Sequence, residues 1–263
     1  MVDIFELKSR FSQTPVEKLF GEIREQAFLR VEVPEELSCK LDEYLMLAQQ
    51  YCTSEWGDSS QLLYRVRRHD YGQLEKFPSR EMGPPEHHQA SAGRAQPVGA
   101  ALLYLADCAA TAVSEVKPDV GEYLTVGVFK SKAEHPLRVL DLSRFSINIL
   151  DAHHRELSTL FRLSRYAFSS PVHPDDPKKY QAQAYFVQRV RDMGYDGIGY
   201  ESVTRKKGRC FAFFDADKFR CSQTQIHQVL SVSVESERTR FSKVEKEYLT
   251  DQKAKQKSKR KSS

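Results

Sequence analysis

GRAQPVGAALLYLADCAATAVSEVKP, residues 93–118, holds a turn, a strand and a helix in immediate succession, and its reading decides the fold class. Gly93, Pro97 and Gly99 shape the turn, which also carries Arg94. The apolar run AALLYLA is short and reads as a strand. Asp107 stands where an N-cap aspartate would open the helix CAATAVSEV, and Pro118 limits that helix. Residues three and four apart share a helix face, so Glu115 lies in line with Cys108, Thr111 and Ala112, while Ala109, Val113 and Val116 can face a core. A carboxylate flanked by such small side chains sits over a hollow.

On the N-terminal side, QLLYRVRRH alternates as a strand does, with Leu62, Tyr64 and Val66 on one face and Leu63, Arg65 and Arg67 on the other. Before it, the turn-rich break SEWGDSS sets off residues 1–57 as a helical extension. TPVEKLFGEIREQAFLRV carries Leu19, Phe20, Ile23 and Phe28, and PEELSCKLDEYLMLAQQYC carries Leu37, Leu41, Leu45 and Leu47 near helical spacing. Residues 70–99 are polar and rich in Gly and Pro, the composition of a functional or mobile loop. On the C-terminal side, EYLTVGVFK and LRVLDLS read as strands, 152–166 as helical and SSPVHPDDP as a turn. KKYQAQAYFVQRVRDMG is a helix striped by Tyr180, Ala184, Val187 and Val190, with Gly194 placed as its C-cap. YDGIGYESV and GRCFAFFD close the pattern as two strands. Strands and helices interspersed without regular βαβ alternation predict an α+β fold, a mixed sheet flanked by helices with an N-terminal helical annex, rather than a doubly wound sheet. The expected organisation is 1–57 helical extension, 58–235 main domain and 236–263 charged tail, disordered at its end.

Composition narrows the partners. The chain of 263 residues has a net charge of +4, but residues 252–263, QKAKQKSKRKSS, hold six Lys/Arg and no acid, which leaves −2 for the rest. The body is therefore not a nucleic-acid surface, and only the solvated tail has that chemistry. No run of about eighteen apolar residues is present, so no membrane span is expected. MVDIFELKSR lacks the apolar core of a signal peptide, and Cys39, Cys52, Cys108, Cys210 and Cys221 are an odd set without metal-type spacing. These features predict a cytoplasmic protein with reduced thiols.

Taken singly, the charged residues have ordinary readings: Glu115 on a solvated helix face, Arg94 on a loop, Arg65 and Arg67 along an exposed edge. Two arginines spaced two apart on a strand repel unless they share an acid or an anion, and the guanidinium fork suits phosphate. In combination, LYRVR, GRAQPVG leading into LYLAD and TAVSEV, then MGYDGIGYES and FAFFD, closely resemble the RES domain family over residues 62 to 220. The resemblance implies a compact fold related to ADP-ribosyltransferases and an NAD⁺-binding catalytic domain. It implies cleavage of the nicotinamide–ribose bond by hydrolysis or phosphorolysis, with the alternative of ADP-ribose transfer to a protein. Many such proteins are toxins neutralised by a cognate antitoxin. NAD⁺ would be substrate rather than cofactor, with inorganic phosphate as a co-substrate if the reaction is phosphorolytic. Carried over by motif, Glu115 and Arg94 are the catalytic candidates, and Arg65, Tyr104 and Ser202 the substrate-binding ones; Arg67 is outside the shared pattern. Gln96 stands where the family commonly has Asn, and this departure together with the 70–99 loop leaves a non-catalytic nucleotide- or partner-binding domain as a further reading.

Other signals fall away. The glycines of GYDGIGY have the wrong spacing for a dinucleotide fingerprint and precede a strand. His87-His88 and His153-His154 lack metal-ligand companions, so no metal is expected, and no serine lies in a G-x-S-x-G elbow.

Overall fold

The computed structural model describes residues 19, 21–23, 25–26, 32–56, 61–85, 95, 101–132, 136–144, 168 and 180–233. Eight strands form one sheet: β1 (Thr53–Trp56), β2 (Leu63–Arg68), β3 (Leu103–Ala106), β4 (Tyr123–Ser131), β5 (Leu137–Asp141), β6 (Gly197–Glu201), β7 (Arg209–Phe213) and β8 (Phe219–Gln228). Their order is β1-β5-β6-β7-β3-β2-β4-β8. β5 and β6 run parallel and every other neighbouring pair antiparallel. With the helices α1 (Glu35–Cys52), α2 (Ala109–Glu115) and α3 (Gln181–Asp192), this is the mixed α+β architecture that the sequence predicts.

Alternation along the strands sorts the core to two sides. On β7, Cys210 and Ala212 join one cluster, and Phe211 and Phe213 another; on β3, Tyr104 and Leu103 divide the same way. The first cluster is covered by α1 and α3. The buried Leu41, Tyr44, Leu45, Ala48 and Cys52 of α1 recur at helical spacing and meet Phe186, Val187 and Val190 of α3 over Leu140, Ile198 and Ala212. Ser38 Oγ bonds the Tyr185 hydroxyl at 2.7 Å, and Arg189 pairs with Asp42, so the two helices are pinned at their half-exposed rims. Met193 is the C-cap of α3, and Gly194, expected as the cap, stands one residue beyond it in the left-handed region at φ +77°, where a glycine ends a helix. A third, smaller cluster lies farther along the sheet, where Ala112 of α2 packs with Val66, Ala106, Leu124 and Val126.

β2 pairs with β4 from Leu63↔Phe129 to Arg68↔Leu124, but with β3 only at Tyr64↔Ala106. The sheet therefore splits between β2 and β3, along the seam between the first and third clusters.

Three local expectations are corrected. Thr53–Trp56, read partly as a break, is strand β1, with buried Ser54 and Trp56 alternating with exposed Glu55 over a span too short to show a period. β8 was not anticipated because FRCSQTQIHQ buries only Phe219 and Thr224; its ladder to β4, from Tyr123↔Gln228 to Ser131↔Phe219, holds it as an edge strand. Asp107 does not cap α2, whose N-cap is Cys108 without a side-chain cap bond. Its Oδ2 lies 3.7 Å from Arg209 Nε instead, drawn to a full positive charge rather than to helix amides. The segment from Ser231 onward is a separate unit, in which 231–233 are exposed and without regular structure. The predicted 152–166 helix, the SSPVHPDDP turn, most of the 14–31 helix, the adjacent-histidine pairs, and the tail from 236 lie outside the described residues.

Candidate active site

A cavity of about 420 Å³ occupies the seam. Its walls come from β2 (Tyr64, Arg65, Val66), β3 (Tyr104, Leu105, Ala106), the end of α2 (Ala112, Glu115, Val116, Lys117) and the β6–β7 region (Tyr200, Val203, Thr204, Cys210), with Tyr180 before α3. The hollow expected beside Glu115 exists because Ala112 offers only a methyl group there. Thr111, one turn before Glu115, is fully buried against the β6–β7 loop. A Cβ added to Gly208 of that loop would stand 2.7 Å from Thr111 Oγ1, so glycine is what lets the loop close against α2.

The loop brings hydroxyls to the carboxylate. Ser202 Oγ donates to Glu115 Oε1 at 2.6 Å, and Thr204 Oγ1 donates to the same oxygen at 2.9 Å. Ser202 Oγ in turn accepts from the amides of Thr204 at 3.2 Å and Arg205 at 3.0 Å. With its acceptor capacity taken by two backbone donors, the hydroxyl proton of Ser202 is directed at Glu115. Cys210 lies beneath: burial first, then the negative charge of Glu115, raises its thiol well above the ordinary range.

Arg65 spans the split. Its Nη1 reaches the Tyr104 carbonyl at 3.4 Å, and its Nε is buried without a hydrogen-bond partner among the described residues. Burial, then the like charge of Arg67, brings the guanidinium below the ordinary arginine range, down to about 10. Among the described residues no acid pairs with it. Arg67 is differently engaged, donating to the Gly83 carbonyl at 2.9 Å and lying over the Phe77 ring. The Tyr104 hydroxyl accepts from the Ala95 amide at 3.1 Å while the side chain lines the cavity. Arg94 itself, like Gln96, lies outside the described residues.

Of the five residues singled out in the sequence, Arg65, Tyr104 and Glu115 thus share one cavity and Ser202 is bonded to Glu115. Sequence reasoning missed Thr204, Lys117, Cys210 and the tyrosines 64, 180 and 200. Thr204 had a faint signal, two residues beyond Ser202. Cys210 enters through register alone, opposite Ala106 on β3 and Tyr200 on β6. Lys117 (φ +47°) and Tyr180 (φ +68°) both line the cavity in the left-handed region that non-glycine residues rarely adopt. Strain of this kind costs about 1–3 kcal/mol and gathers at functional sites. Among the described residues, no group of three or more His, Cys, Asp or Glu could hold a metal, and no helix is long and apolar enough to cross a membrane.

The split mixed sheet thus carries a hydroxyl-held carboxylate and a largely buried cation on the walls of one cavity. Comparison with known proteins gives the family: a RES domain model matches residues 62–235, and the chain belongs to the RES domain family. Among solved structures it is similar to the crystal structure of the M. tuberculosis MbcT-MbcA toxin-antitoxin complex, at 17% identity, covering 72% of this chain and 94% of that one, with a TM-score of 0.42. No curated protein matches the chain.

Proposed function

We propose that the protein cleaves the nicotinamide–ribose bond of NAD⁺. The observation that carries the reading is the Glu115 carboxylate, held by two hydroxyls at the wall of a cavity that Arg65 also lines. The cavity volume lies within the range of about 300–1,000 Å³ common to small-molecule sites.

The chemistry follows from the substrate. As the C1′–N bond breaks, its electron pair goes to the nicotinamide ring, which leaves neutral, so no general acid is required. Positive charge develops on the ribose, as in glycoside cleavage. Glu115 stabilises that charge and accepts a hydrogen bond from a ribose hydroxyl. Arg65, with Arg94, grips the diphosphate by charge-assisted bonds, and Tyr104 offers an aromatic face to a ring of the dinucleotide. Ser202 holds Glu115 in place. Water then adds to C1′ and releases a proton, giving ADP-ribose, nicotinamide and H⁺; inorganic phosphate in place of water would give ADP-ribose 1″-phosphate. Because depletion of NAD⁺ harms the cell that makes such an enzyme, a toxin role with a cognate antitoxin partner belongs to this reading.

The test is nicotinamide release from NAD⁺ by the purified chain, with and without phosphate, beside Glu115→Gln. The wild type should release nicotinamide, and Glu115→Gln should lose at least about a hundredfold in kcat while remaining folded. Dependence on phosphate would identify phosphorolysis. A Glu115→Gln protein of full rate would remove Glu115 from the mechanism. Nicotinamide release that occurs only when an acceptor protein is added, with ADP-ribose appearing on that protein, would convert the reading to a transferase.

A further inference from the structure

Thr204 is exposed at the cavity wall and has one hydroxyl proton and two acceptors for it. Glu115 Oε1 is 2.9 Å away and Ser114 Oγ 3.0 Å away. Ser114 Oγ donates to the Thr111 carbonyl at 2.8 Å, so it is free to receive. The charged acceptor wins in the empty site. Ser202 differs: two backbone amides occupy its oxygen, and its other hydroxyl neighbour, Thr204 Oγ1, is at 3.2 Å against 2.6 Å for Glu115. Of the two hydroxyls on Glu115, one is fixed and one has somewhere else to go.

We propose that Thr204 is a placeholder: its hydroxyl occupies on Glu115 Oε1 the position that a substrate ribose hydroxyl takes, and swings to Ser114 Oγ when substrate enters. This rests on the NAD⁺ reading above. It explains why the more exposed of the two donors is the one with a second acceptor, since a displaced hydroxyl left without a partner would oppose binding. Ser202 remains the positioning residue throughout. Cys210 also lines the cavity and reaches both Glu115 and Ser202, but it is buried, whereas Thr204 is the exposed donor that an entering ligand meets.

The experiment is steady-state nicotinamide release from NAD⁺ by the full chain and by Thr204→Val, Ser114→Ala and the double variant, with thermal melts to confirm folding. Valine is close to threonine in shape and keeps the backbone amide that bonds Ser202. Thr204→Val removes the competitor for Glu115, so KM should fall about three- to tenfold with the change in kcat smaller than that in KM. Ser114→Ala removes the refuge, so KM should rise about two- to fivefold. The double variant should behave as Thr204→Val, because Ser114 has no hydroxyl left to receive. A loss of kcat in Thr204→Val with KM unchanged would show that the hydroxyl stays on Glu115 through the reaction, and would overturn the exchange. So would a Ser114→Ala enzyme with unaltered KM. If the wild type releases no nicotinamide and does not bind ADP-ribose by calorimetry, the NAD⁺ reading fails and the inference falls with it; if the wild type is active, only the exchange is at stake.

Discussion

Arg65→Met separates substrate capture from stability. The fall in the guanidinium from the ordinary arginine range to about 10 corresponds to an unfavourable free energy of about 3 kcal/mol for the charged form. Partial solvent access reduces this to roughly 1–2 kcal/mol. At neutral pH the folded and unfolded chains both hold the proton. The cost is therefore constant there, and only above about pH 10 would the folded state release its proton first and stability rise. Against that cost stands the 3.4 Å bond to the Tyr104 carbonyl, which is long and contributes about 0.5–1 kcal/mol. Methionine fills much of the same channel without charge. The expected result is a melting temperature equal to the wild type or higher by a few degrees, at about 2–4 °C per kcal/mol for a protein of this size. Affinity for ADP-ribose should fall about 10- to 100-fold, the range for losing a charge-assisted contact. Differential scanning calorimetry and isothermal titration measure the two. A variant melting more than about 5 °C below the wild type would make Arg65 a structural residue, and undiminished ADP-ribose affinity would remove it from the phosphate role.

Gly208→Ala places a Cβ 2.7 Å from Thr111 Oγ1 and 2.9 Å from its Cγ2, so denaturant unfolding should show a loss of about 1–3 kcal/mol. Nicotinamide release should fall with it, because the loop carries Ser202 and Thr204; a variant as stable as the wild type would show that the loop is not seated on α2. Cys210 should resist alkylation across pH 7–9, since burial and the Glu115 charge keep it protonated, while exposed Cys39 reacts. Peptide mass mapping after iodoacetamide treatment reads this directly, and labelling of Cys210 as fast as Cys39 would contradict the buried position beneath Glu115.

The elements legible in the sequence are those that bury apolar side chains in a run or a stripe. β7 and α3 announce themselves by their apolar residues: RCFAF is a short apolar run buried from Cys210 to Phe213, facing a core on both sides of the sheet, and Ala182, Phe186, Val187 and Val190 line one side of their helix. β8 has almost no buried side and is held by main-chain bonds to β4, which any sequence can make, so its residues leave no pattern to read. Asp107 was misread for a related reason. Its local preference is to cap, but Arg209, 102 positions away in sequence, offers a stronger partner, and that proximity exists only after β3 and β7 have paired.

The site follows the same logic. Arg65 and Glu115 are visible as charges in unusual company, yet neither reveals the cavity between them. That cavity exists because β2 leaves β3 after a single paired position while holding β4 along its whole length. A continuous sheet would have satisfied the Tyr104 carbonyl with a backbone amide and left no channel for a guanidinium. The split instead gives that carbonyl to Arg65. Charge, cavity and carboxylate therefore have one origin, the early parting of two strands. Substitutions that re-pair β2 with β3 would close the site even with every candidate residue intact.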